Sequence, residues 1–175
     1  LVNDDEQYAV MRASLSAQSP GELEWLAQRP DETGLGATES LNIGLADAGG
    51  DWILCVHQDV IFPSGWWRTA VQQLEGWPGR VAVAGTVGVT SGGRFRGHIL
   101  DAHGHACWGP LPARVASLDE HLLIIRRESE LRFDPHTPGF HCYGADIALS
   151  ARDAGFDVVA LDAPVVHLSP GRLDD

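Results

Sequence analysis

The chain of 175 residues contains no lysine: its 12 basic residues are all arginine, set against 24 acidic ones for a formal net charge of -12. A surface so negative repels a phosphate backbone, which argues against nucleic acid as a partner. An anionic substrate would need a cation recruited locally, and carboxylates holding a divalent metal would supply one. Cysteine is scarce too. Cys55, Cys107 and Cys142 are odd in number, far apart and without a C-x-x-C pair, so neither a disulfide framework nor a zinc knuckle is expected, and a reducing, cytoplasmic setting fits. No apolar run approaches the roughly 18 residues of a membrane span, and no signal peptide is visible. The chain starts without methionine, almost inside the apolar Leu1-Val2, as if the beginning of a first strand were absent.

What is present is ordinary for a folded protein, at 44% hydrophobic and 21% charged residues. This length and composition suit one domain over residues 1–175 with a sizeable core. The most informative stretch is Asp51-Trp52-Ile53-Leu54-Cys55-Val56-His57-Gln58-Asp59-Val60. An apolar run long enough for one buried strand ends abruptly in three polar side chains, at the sheet edge where open α/β folds bind ligands. In an extended backbone, His57 and Asp59 would project to one side and Gln58 to the other.

Around this strand the pattern alternates. Leu1-Val2-Asn3 reads as a strand tail, followed by an acidic turn and a helix through Tyr8, Met11 and Leu15. Pro20-Gly21 breaks the chain and Leu23 to Ala27 suits a short strand. Thr38 is placed to cap a helix with Leu41, Leu45 and Ala48 on its apolar face. Trp66-Trp67 opens another helix, Arg80 to Val87 forms a second apolar strand, and a doubly wound α/β layer with a mostly parallel central sheet follows. From Thr90 to Pro112 glycines punctuate short alternations, as in an irregular hairpin or loop. Here Asp101, His103 and His105 invite a metallohydrolase reading, although no third and fourth ligand stand at a recognisable spacing.

A second constellation, Gly139-Phe140-His141-Cys142-Tyr143-Gly144-Ala145-Asp146, enters a helix, and His167 ends the last strand. A strand tail with Asn-Asp-Asp, a Gly-Ala-Thr-x-x-x-Asn helix, the His57-Gln58-Asp59 strand end, this helix entry and the terminal His together resemble the family 2 glycosyltransferases of GT-A fold. The likeness is to a branch with His-Gln-Asp in place of Asp-x-Asp. It spans nearly the whole chain and is most specific at residues 57–60 and 139–146.

The resemblance implies a domain that moves a sugar from a nucleotide-diphosphate sugar to a saccharide or other hydroxyl acceptor with inversion. Asp59 and His57 then match the metal motif, and His167 looks like the histidine that completes the shell around Mn²⁺ or Mg²⁺. Asp146 resembles the catalytic base. Asn3, Asp5, Ala37, Asn42 and Gln58 are similar in placement to residues lining the nucleotide pocket. The chemistry suits these residue types, because a departing diphosphate gathers charge that a carboxylate-held cation stabilises, while a second carboxylate takes the acceptor proton. An imidazole in the shell favours Mn²⁺. Asp146 also suits an ordinary helix cap, Asp59 the start of a turn, His57 a hydrogen bond to a neighbouring loop, and His167 a cap on the sheet. His141 and Tyr143 stand where they would orient the base or touch the acceptor, and Trp66, Trp67 and Trp108 are candidates for either sugar stacking or packing. A non-catalytic nucleotide-sugar binding module is the remaining alternative.

Overall fold

The computed structural model describes residues 1–18, 23–137 and 139–169; the break expected at Pro20-Gly21 lies outside them. Its main sheet has five strands in the order β1 (Trp52–Val56), β9 (Leu122–Arg126), β3 (Val81–Gly85), β10 (Asp157–Ala160), β7 (Ala113–Arg114). The two-residue period of a strand sorts their side chains between two cores. Cys55, Val83, Leu123, Ile125 and Val158 face the helices α3 (Ala37–Asp47) and α5 (Tyr143–Asp153), which contribute Leu41, Leu45, Ile147 and Ala151. Val81, Ala84, Leu122, Ile124 and Val159 face α1 (Asp5–Ser16) and α4 (Trp66–Glu75), which contribute Met11, Leu15, Trp66 and Ala70. Each fully buried Leu or Ile contributes about 1.5–3 kcal/mol, so the four-residue run Leu122 to Ile125, buried on both faces, anchors the layer.

That same run overturns the expectation of a mostly parallel sheet. β9 enters between β1 and β3 and pairs antiparallel with both, with Val56 opposite Leu122 and Trp52 opposite Arg126. β1 and β3 therefore point the same way but are not neighbours. In the main sheet only β10 and β3 are parallel partners. A second sheet runs β2 (Val60–Ile61), β11 (Val165–His167), β5 (Phe95–Asp101), β4 (Val87–Val89), β8 (Ser117–Leu118), and its one parallel pair is β11 with β5. Apolar runs reveal burial on both faces but not which strand lies alongside.

Local departures have local causes. Residues 23–29 form no strand, and Leu1 to Asn3 are irregular, tied instead by the Val2 N–H to the Gln28 carbonyl at 2.8 Å. Gly36, not Thr38, caps α3, because the Glu39 carboxylate reaches back to accept the Gly36 N–H at 2.9 Å, leaving Thr38 buried in the first turn. The glycine-rich stretch is an ordered antiparallel hairpin, β5 with β6 (Gly104–Trp108), in register from Gly97 opposite Trp108 to Asp101 opposite Gly104. Trp66 is core, its indole N–H donating to the Ala163 carbonyl at 2.9 Å. An apolar groove of about 450 Å³ follows the open side of β1, between α1, α3 and the 23–28 segment.

Candidate active site

The polar end of β1 is not extended. The Val60 N–H bonds back to the His57 carbonyl at 3.3 Å, closing a tight turn over residues 57–60. Two backbone bonds pin this turn: His57 N–H to the His121 carbonyl at 3.0 Å, and Leu168 N–H to the Asp59 carbonyl at 2.9 Å. The second holds Asp59 against the end of β11, where His167 stands opposite Val60. His57, Asp59 and His167 thus meet, each offering a ligand atom within 4.8 Å of the other two. Among the described residues this is the only trio of histidine, cysteine and carboxylate side chains so close.

The three rings of His57, His167 and His121 form a column. His167 stacks on His121 with centroids 5.2 Å apart and lies 5.8 Å from His57. Two of the three rings are held from behind. His57 Nε2 meets the Tyr143 hydroxyl at 2.6 Å. The fully buried His121 reaches Asp119 through Nδ1 at 2.5 Å and the Thr86 hydroxyl through Nε2 at 2.6 Å. His167 Nε2 approaches Asp59 Oδ1 to 3.4 Å but, poorly directed for a hydrogen bond, is buried without a hydrogen-bonding partner. This buried nitrogen is thus left over beside the carboxylate of the trio.

Electrostatics divide the roles. Burial pushes the His57 imidazolium down to about 4, against the pull of Asp59 and with help from His167 and His121, so His57 is neutral at neutral pH. Burial also lowers His167, yet Asp59, Asp119 and Asp101 together hold it above its ordinary value. For Asp59, burial raises the carboxyl, but His167 and His57 outweigh it and leave the group an anion. Tyr143 is raised by burial and then by the carboxylates Glu120, Asp119 and Asp59, so its hydroxyl keeps its proton. Two imidazoles and one carboxylate so close together form a donor set that could hold a divalent cation.

Asp146 sits in the first turn of α5, half-buried, with Oδ2 accepting the Asp134 N–H at 2.9 Å. It therefore orders the 131–137 segment, and it does not cap the helix, since the residue before the helix is Cys142 in a left-handed conformation (φ 67°). The other expected pocket residues are engaged in holding loops. Gln58 accepts the Asn3 and Asp4 N–H groups at 2.6 and 2.9 Å and its amide touches Asn3 Oδ1. Asn42 clamps Phe133 through both its N–H and its carbonyl. Asp5 pairs with Arg29 on the surface. Ala37 is wholly buried in the core. Asp101, His103 and His105 do not converge: Asp101 accepts the His103 N–H across the hairpin turn, while His105 turns to His98.

His121, Asp119 and Thr86 are site residues without an obvious mark in the sequence. The available signal is that His121 opens an apolar strand as His57 closes one, which brings the two together once those strands pair antiparallel. Gly144 is the other requirement. A Cβ there would lie 2.5 Å from the Leu118 carbonyl oxygen, so only glycine lets α5 approach the 118–120 loop closely enough to set Tyr143 on His57.

Residues 29–153 match the family model described as glycosyl transferase family 2. The chain belongs to that family. Among curated proteins it is similar to "ATP synthase subunits region ORF 6" of Fuscovulum blasticum, 37% identical over 79 residues, which are 45% of this chain and 32% of that one. Among solved structures it is similar to the crystal structure of GalNAc-T7 with UDP, GalNAc and Mn2+, with a TM-score of 0.56 and 15% identity over 77% of this chain and 30% of that one. The chain thus matches about a third of the length of each relative. At such identity the structural likeness speaks for the fold, a GT-A glycosyltransferase-like α/β fold built here on mixed sheets. Among the described residues no helix is long and apolar enough to cross a membrane.

Proposed function

We propose that residues 1–175 act as a catalytic domain that transfers a sugar, with inversion, from a nucleotide-diphosphate sugar to an acceptor hydroxyl in the presence of Mn²⁺ or Mg²⁺. The observation that carries this reading is the convergence of His57, Asp59 and His167, with the buried His167 Nε2 left without a hydrogen-bonding partner. These three side chains would hold the cation. Once bound, it would supply Lewis-acid stabilisation of the charge that gathers on the departing diphosphate.

The chain's own residues do the rest. Tyr143 fixes the His57 ring through Nε2, and Asp119 with Thr86 fixes His121, the plate on which His167 lies. This is the outer-shell support that keeps ligand rings in one orientation. Asp146 is the base: one carboxylate oxygen holds the Asp134 N–H, and the other would take the acceptor's hydroxyl proton. Gln58 sets the 1–5 segment beside the motif, and Asn42 ties α3 to the backbone of Phe133.

The test is release of nucleoside diphosphate from UDP- and GDP-sugars, with and without Mn²⁺. The wild type is expected to release it only with the cation. Asp146→Asn is expected to keep donor binding, seen as a thermal shift, and to lose turnover by about 10²-fold or more. Normal turnover in Asp146→Asn removes the base from the scheme. Donor binding without turnover in the wild type leaves a binding module.

A further inference from the structure

Away from this centre, the outer face of the β5–β6 hairpin gathers a second set of metal-ligating side chains. His98 stands directly opposite Cys107 in the antiparallel register, and Leu100 opposite His105. Opposed residues share a face, and side chains two apart on one strand do as well, so His98, His105 and Cys107 point to the same side. The contacts are unusual. His98 Nε2 and His105 Nε2 are 2.6 Å apart, their rings 4.8 Å centre to centre, while His98 Nδ1 meets Asp162 Oδ1 at 2.7 Å. Asp162 is itself fixed: its N–H donates to Gln73 Oε1 at 2.8 Å, and its carbonyl accepts from Gln73 Nε2 at 2.9 Å.

We infer that His98, His105 and Cys107 form a binding site for a borderline-soft divalent cation such as Zn²⁺, with Asp162 as the outer carboxylate that orients His98. With Nδ1–H given to Asp162, His98 carries its lone pair on Nε2, the arrangement that supports a histidine ligand. His105 brings its own Nε2 to the same point, and a shift of its proton to Nδ1 frees that lone pair. Two nitrogens at about 2.0–2.1 Å from a tetrahedral ion stand roughly 3.3 Å apart, so the rings need to part by roughly 0.7 Å. His105 lies exposed on the outer strand β6 and makes that shift, while His98 on the inner strand β5 keeps its place against Asp162. The Cys107 sulfur is not yet within 4.8 Å of both nitrogens, but its side chain is exposed and free to turn about its first side-chain bond. Binding releases the Cys107 thiol proton to solvent as the thiolate takes the metal. The bound ion would pin the hairpin to the segment that carries Asp162, and β5 of that hairpin is the parallel neighbour of β11, which bears His167.

The site is independent of the sugar-transfer reading, because its readout is metal binding and not turnover. Co²⁺ is the probe, titrated into the Asp59→Ala protein so that the first centre is crippled, with circular dichroism checking the fold. One equivalent is expected to bind, with a thiolate-to-cobalt charge-transfer band in the near ultraviolet. Cys107→Ser is expected to abolish the band, His105→Ala to abolish the band and the binding, and Asp162→Asn to weaken binding roughly ten- to a hundredfold. If Asp59→Ala does not fold, the wild type is expected to take two equivalents and His105→Ala one. No Co²⁺ beyond the first centre, or a Co²⁺ complex without the band, or binding that survives His98→Ala with His105→Ala, overturns the assignment.

Discussion

Replacing Asp59 with asparagine keeps the size of the side chain and removes its charge, which separates two contributions that alanine would merge. In the metal-free protein the change is expected to be mild. The Asp59 and His167 side chains are each 18% exposed and 3.4 Å apart without a directed hydrogen bond. Once the carboxylate is gone, the main influence raising the His167 imidazole goes with it, while burial continues to favour the neutral ring. A shift within about 1 kcal/mol follows, in line with weakly directed ion pairs. With the unfolding entropy of about 2.1 cal/mol/K per residue, 175 residues give roughly 0.37 kcal/mol/K, so the melting temperature moves by no more than about 3 °C.

The liganded protein behaves differently. On the proposed function, UDP with Mn²⁺ at about 100 times the dissociation constant is expected to stabilise the wild type by about 2.7 kcal/mol, or roughly 7 °C. Asparagine offers a neutral oxygen in place of the trio's only anion. If affinity drops about 100-fold, the same ligand concentration yields roughly 0.4 kcal/mol, near 1 °C. Differential scanning fluorimetry with Mn²⁺, with chelator and with UDP alone resolves a difference of this size. An Asp59→Asn protein whose shift equals the wild type's would refute the reasoning, as would a wild-type shift that chelator leaves untouched.

Tyr143→Phe removes the hydroxyl on the buried His57 ring and leaves its Nε2 unpartnered, which is expected to cost about 1–3 kcal/mol in urea unfolding and to weaken Mn²⁺ binding; unchanged values on both counts would strip Tyr143 of its orienting role. Gly144→Ala sets a Cβ 2.5 Å from the Leu118 carbonyl oxygen, and the forced movement of α5 is expected to cost about 1–3 kcal/mol, roughly 3–8 °C in melting temperature. A melt identical to that of the wild type would show the approach to be looser. Asp119 gives the pH prediction: burial raises its carboxyl, but the bond to His121 and that ring's charge more than reverse this, so its folded value lies below its unfolded one. It therefore stabilises the fold above about pH 4, and that part is lost as pH falls further. With its side chain 52% exposed the contribution is small and salt-sensitive. Urea midpoints between neutral and acid pH are expected to fall less steeply for Asp119→Asn, and parallel curves would contradict the assignment.

The amino-acid sequence by itself determined the positions of the main strands and helices. Apolar runs at residues 52–56, 81–85 and 157–160 and helical spacing at Met11, Leu15, Leu41 and Leu45 needed no partner to be legible. It also determined that His57, Asp59 and His167 end strands, and strand ends of an α/β layer share one edge. Only the tertiary structure decided that β9 inserts antiparallel between β1 and β3, and that Gln58 and Asn42 spend their amides on loops. It alone placed His121, Asp119, Thr86 and Tyr143 behind the trio. The physical reason is that periodicity encodes which face of an element is buried, a property of neighbours along the chain. Which element lies across that face depends on contacts such as Leu122 to Val56 and His57 to Tyr143, 66 and 86 positions apart, that no local pattern carries.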